Sequence, residues 1–195
     1  MDMETFIRTI PKAELHLHIE GTLEPELKFE LAERNGVELP YGTAEEMRAA
    51  YDFDDLSSFL AQYYEGMSVL REEPDFFDLS MAYFERVAAQ GLVYVEMFFD
   101  PQAHISRGIA FETVITGLRR AQEVAEERFG IRSQLIMCLL RDHSVESAFE
   151  ALKQASAYRD LIVGVGLDSD ERDNPPRKFR EVFAAARQQG YRLTM

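Results

Sequence analysis

The chain has 195 residues, 46% hydrophobic and 29% charged, a balance that fits one globular domain with a real core and argues against a disordered tail. A formal net charge of -14 opposes binding to phosphate backbones and anionic membranes, so no nucleic-acid or membrane partner is expected and a neutral small molecule fits better. The single cysteine, Cys138, excludes an internal disulfide and a cysteine-based zinc cluster, and its place in the apolar run 135–140 reads as a buried, inert thiol. No apolar run reaches the roughly 18 residues of a transmembrane helix. The acidic start, Met1-Asp2-Met3-Glu4-Thr5, lacks the regions of a signal peptide, so the expected location is cytoplasmic.

In chain order, the first strand is expected over 13–18, within Glu14-Leu15-His16-Leu17-His18-Ile19-Glu20-Gly21. Side chains at i and i+2 leave one face of a strand, so His16 and His18 point the same way and could share one metal ion. A bare His-x-His is more often two polar residues on a half-exposed strand, since two ligands do not make a metal site. Helices follow over 25–34, closed by Asn35-Gly36, over a short segment opened by Thr43-Ala44-Glu45-Glu46, and over 55–70 and 74–90. They form a helical cap insertion over about 22–90. Near-continuous apolar runs then predict buried parallel strands over 92–99, 133–140 and 161–167, with a fifth over 191–195. Between them, 111–129 carries Phe111, Val114, Ile115, Leu118, Ala121 and Ala125 at helical spacing, and helices are expected over 144–157 and 175–189.

This βα alternation is an α/β fold, read as one domain over 1–195. A doubly wound sheet and a (β/α)8 TIM-type barrel both suit the pattern, and the missing Gly-x-Gly-x-x-Gly after the first strand disfavours a dinucleotide fold. In a barrel the active site lies at the C-terminal strand ends. Those ends carry His16, His18 and Glu20, then Asp100, Gln102 and His104, then Arg141, Asp142 and His143, then Asp168 to Glu171. Each alone could be a cap or a solvated loop residue. Four polar ends on one rim read as a site.

Pro11-Lys12-Ala13-Glu14-Leu15-His16-Leu17-His18-Ile19-Glu20-Gly21-Thr22-Leu23 resembles the opening of the adenosine/adenine deaminases of the amidohydrolase superfamily. The continuation Glu24-Pro25-Glu26-Leu27, the tripeptide Asp100-Pro101-Gln102, and Gly164-Val165-Gly166-Leu167-Asp168-Ser169 ahead of Pro175-Pro176-Arg177-Lys178-Phe179 look like the adenine deaminase branch. Adenosine deaminases usually carry Asp where Glu20 stands. The resemblance implies a (β/α)8 barrel, about the first five strands of it here, and a zinc-dependent hydrolase. Hydroxide supplied at zinc attacks purine C6 and ammonia leaves, turning adenine into hypoxanthine. Adenosine or an N6-substituted purine is the near alternative.

By the same resemblance His16 and His18 are zinc ligands, and Glu20 stands where adenosine enzymes place the carboxylate that meets the ribose. A longer Glu would fill the space of a missing sugar, although it could instead accept turn N–H groups before the 25–34 helix. The Ser169 N–H aligns with the contact to purine N3, and Gly166 would let that loop approach. Leu56, Phe59 and Leu60 match a lid helix, or equally an ordinary core stripe. Asp100 and Gln102 are candidates for the adenine edge. His104 and His143 match no family ligand and are expected at the surface or in loops. One cysteine rules out the cytidine-deaminase type of zinc site.

The remaining zinc ligands and the general acid are expected beyond Met195, so no catalytic residue is assigned within the chain. The expectation is therefore the N-terminal part of a longer enzyme, with the 195 residues alone neither well folded nor active. The rival class is a non-catalytic half-barrel that acts by binding or self-association, and a homo-oligomer is left open.

Overall fold

The computed structural model describes residues 1–194. In chain order the elements are α1 (Met3–Thr9), β1 (Lys12–His18), α2 (Pro25–Asn35), α3 (Ala44–Ala49), α4 (Leu56–Gly66), α5 (Glu73–Ala88), β2 (Leu92–Phe99), α6 (Pro101–Ile105), α7 (Phe111–Phe129), β3 (Arg132–Leu140), α8 (Val145–Ala155), β4 (Ile162–Asp168), α9 (Arg180–Gln188) and β5 (Arg192–Leu193). All neighbouring strands pair in parallel, in the order β1-β2-β3-β4-β5. Consecutive parallel strands joined by helices, with a helical insertion after β1, form part of a (β/α)8 barrel. No helix among the described residues is long and apolar enough to cross a membrane.

Local chemistry sets the boundaries. Gly36 closes α2 at φ 61, in the left-handed region that glycine enters without strain. Thr43 caps α3 by accepting from the Glu46 N–H, and Asp55 and Ser58 cap α4 reciprocally. The apolar stripe of α7 is buried throughout and packs on α5. Gly117 permits that approach, because a Cβ there would lie 2.5 Å from the Glu73 carbonyl oxygen.

Two elements lie outside the sequence expectation. α1 forms because Asp2 accepts from the Thr5 N–H, and α6 because Pro101 starts a turn directly after β2. Both are too short to show a hydrophobic period. The expected fifth strand is paired only at Arg192 and Leu193, and Met195 lies outside the described residues.

The register of β1 positions the site. Glu14 pairs with Val95 but Leu17 pairs with Met97, so β1 carries one extra residue between them. Ahead of this bulge Glu14 faces the outer helices and accepts from the Tyr83 hydroxyl at 2.6 Å. Past it, Leu17 packs on the outer core while His18 sits beside Phe98 on the inner face. The inner face also carries a small apolar cluster of Phe98, Ile136 and Cys138.

Candidate metal and purine site

His16 and His18 leave β1 on the same side, with their Nε2 atoms 3.3 Å apart. Two nitrogens on a tetrahedral zinc, each at about 2.0–2.1 Å, are about 3.3–3.4 Å apart, so the pair fits two corners of such a site. Burial, with the neighbouring His16 second, pushes His18 down to about 4, so its Nε2 keeps a lone pair at neutral pH. His18 Nδ1 lies 3.4 Å from Asp168 Oδ2, which turns Nε2 toward His16.

A cavity of about 390 Å³ opens over the pair. His16, His18 and Phe98 face one side of it, Leu56, Phe59, Leu60, Tyr63 and Tyr64 of α4 another, and Leu167, Asp168 and Ser169 a third. Its volume suits a molecule the size of a purine base. Ser169 holds φ 74, a conformation that strains a non-glycine residue and that recurs at ligand clamps. α4 is tied across the mouth by Ser57 to Asp170 at 3.3 Å and by Asp55 to Arg172 at 3.5 Å.

A buried polar network lies beneath the histidines. Asp100 is fully buried and accepts from the Tyr63 hydroxyl at 3.2 Å. Glu20 Oε1 accepts from the Asp100 N–H at 2.9 Å and lies 3.1 Å from His104 Nε2. His104 Nδ1 faces an Arg107 guanidinium nitrogen at 2.7 Å. Arginine can only donate, so Nδ1 accepts and Nε2–H donates to Glu20. Burial pushes the Glu20, Asp100 and Asp168 carboxyls up, Glu20 raises Asp100 further, and Asp100 and Glu20 raise Asp168 further. Burial, with Arg107 second, lowers His104 to about 3, so it is neutral.

One donor atom each from His18, Asp100, Cys138 and Asp168 lie within 4.8 Å of one another, a group that could itself hold a metal ion. Asp100 Oδ1 and Asp168 Oδ1 are buried there without a hydrogen-bond partner. The corner-to-corner fit favours the Nε2 side of the histidine pair.

The structure brings His16, His18, Leu56, Phe59, Leu60 and Ser169 to one cavity. It places the other sequence candidates elsewhere. Gly166 lies within β4 with Cys138 and Phe98 against it, so it gives room to side chains beneath the cavity. Gln102 is buried, donating to Ser147 Oγ and accepting from the Leu140 N–H, which ties the end of β2 to that of β3. Asp100 lies beneath the histidines, and Glu20 borders an adjoining cavity with Gly21, Gln62 and Tyr63. His143 is half-buried after β3, its carbonyl accepting from Lys178. The expectation for His104 is corrected: it is fully buried in α6, because Glu20 and Arg107 satisfy both its ring nitrogens.

Sequence reasoning missed Phe98, Tyr63 and Arg107 as parts of the site. Arg107 was legible in principle, at i+3 from His104 on a helical turn. Phe98 was not, because its partnership with His18 depends on the bulge in β1.

A parallel barrel with a histidine pair at the end of its first strand and a cavity above it defines the amidohydrolase class of scaffold. The family model described as adenosine deaminase matches residues 11–195, and the chain belongs to the adenosine deaminase family. It is 56% identical over 192 residues to an adenine deaminase of Geotalea uraniireducens, covering 98% of this chain and 54% of that protein. The crystal structure of an adenine deaminase from Arthrobacter aurescens superposes with a TM-score of 0.91 at 53% identity, over 94% of this chain and 56% of that one. An amidohydrolase from Burkholderia ambifaria, solved with bound zinc, superposes with a TM-score of 0.84 at 25% identity, over 97% of this chain and 52% of that one. The chain thus spans about half the length of the curated relatives it matches.

Proposed function

We propose that this chain supplies the zinc-binding pair and much of the purine cavity of an adenine deaminase, which converts adenine and water to hypoxanthine and ammonia. The observation that carries the reading is the 3.3 Å separation of the His16 and His18 Nε2 atoms at the floor of a purine-sized cavity. Zinc held there supplies Lewis acidity that makes water nucleophilic at neutral pH.

The chain's own residues do the rest of what can be assigned. Leu56, Phe59 and Leu60 exclude water above the ring. Ser169 presents its backbone at the cavity wall, held at φ 74 for that contact. Asp168 fixes the orientation of His18. Glu20, held by His104 and the Asp100 N–H, borders the cavity adjoining the pair, where its longer side chain takes room a sugar would need, which favours a base without one. The identities of the similar proteins support adenine over adenosine.

The test is substrate choice in the chain completed to the length of its relatives. Ultraviolet absorbance on adenine, adenosine and N6-methyladenine should show adenine turned over fastest. Preference for adenosine would refute the assignment of the base.

A further inference from the structure

Phe98 touches both members of the histidine pair. It is the Cα partner of His18 across the β1–β2 ladder, and pairs with Ile136 of β3 on its other side. Its ring centroid lies 4.5 Å from that of His16 and 5.2 Å from that of His18, with interplanar angles of 31° and 25°. One buried ring thus underlies two imidazoles whose own separation is 5.3 Å. An unsupported imidazole turns about two side-chain bonds, and each ligand atom must stop turning before a metal can bind. A shared aromatic surface removes that freedom for both rings at once.

The space for this ring is built from the far side. Gly166 of β4 pairs with Cys138 of β3. A Cβ at Gly166 would lie 3.1 Å from Cys138 Sγ, tighter than ordinary contact, and 3.4 Å from Phe98 Cε1, directly against the ring. β4 therefore has no side chain where the Phe98 ring lies, and the small thiol fills what is left. Phe98 has no polar atom and cannot be a ligand, so its part is to position.

We infer that Phe98 is a positioning residue for metal binding, a platform that holds His16 and His18 in the spacing a metal ion needs, with Gly166 leaving room for it. The inference rests on reading the pair as metal ligands, and its test separates the two. The probe is Co2+, titrated by its visible absorption into the protein at the length of its relatives, as wild type, His16→Ala/His18→Ala, Phe98→Leu and Phe98→Tyr, with circular dichroism and thermal midpoint beside each.

Phe98→Leu should weaken Co2+ binding by roughly tenfold, the effect typical of outer-shell metal partners. Phe98→Tyr, which keeps the ring, should bind as the wild type does. A ring that is only packing would lower the thermal midpoint on Phe98→Leu and leave Co2+ affinity unchanged, which overturns the platform alone. Co2+ binding that survives loss of both histidines overturns the metal reading and the platform with it. If Phe98→Leu fails to fold, the wild-type proton spectrum decides. Imidazole C–H resonances of His16 and His18 shifted upfield by the ring support the platform, and ordinary positions refute it.

Discussion

Glu20, Asp100 and Asp168 bring three carboxyls into one water-poor pocket, and the folded chain keeps protons there. Asp100 is raised to about 8 by burial and by Glu20, against an ordinary value near 3.8. The folded state therefore binds more protons than the unfolded one between those values. The stability this gives is full at low pH and is lost as pH rises through the folded value. His104 has the opposite sign: lowered to about 3, it contributes fully above its ordinary 6.5 and loses that contribution as pH falls. Between pH 6.5 and 8 only the carboxyl contribution changes. The urea midpoint should fall across that interval, by up to about 1.4 kcal/mol per pH unit for each proton released. Asp100→Asn should flatten the slope, and an unchanged slope would show that Asp100 carries no such proton. His104→Ala leaves Glu20 buried without one of its donors and should cost about 2–4 kcal/mol in urea denaturation.

Among the elements, α4 and the α5–α7 pair are the ones whose contacts are most exposed to test. Tyr63→Phe removes the bond from α4 to Asp100 and should cost about 1 kcal/mol by thermal denaturation. Gly117→Ala pushes a methyl group into the Glu73 carbonyl and Phe76, which backbone separation must relieve, at about 1–3 kcal/mol. The inner strands were legible in the sequence as near-continuous apolar runs, and the long helices by their period: α7 runs from Phe111 to Phe129 as its apolar stripe predicts. His16 and His18 were legible because i and i+2 share a face. Three things were not. The bulge in β1 leaves no trace in composition, so the opposite facing of Glu14 was hidden. The burial of His104 needs two partners, one of them 84 residues away in the chain. Gly166 reads the same whether it admits a ligand or a neighbouring ring, and only packing chooses.

On the scale of the whole chain, β1 and β5 each pair on one side only among the described residues, which leaves backbone donors and acceptors unpaired along two parallel edges. Near β1, Met3, Phe6, Ile7, Ile10 and Leu15 are exposed apolar side chains. Edges and patches of this kind recruit other chains. The 195-residue polypeptide should therefore elute from a sizing column ahead of its 22.4 kDa mass. Elution as a compact monomer would show that the edges are tolerated. The central claim is that His16 and His18 hold the metal of an adenine deaminase. The most direct measurement is ammonia release from adenine by the zinc-loaded protein, at the length of its relatives, with and without His16→Ala/His18→Ala. The account predicts turnover by the first and none above background by the second, with zinc content falling in step. Equal turnover, or zinc retained in full without the two histidines, would contradict it.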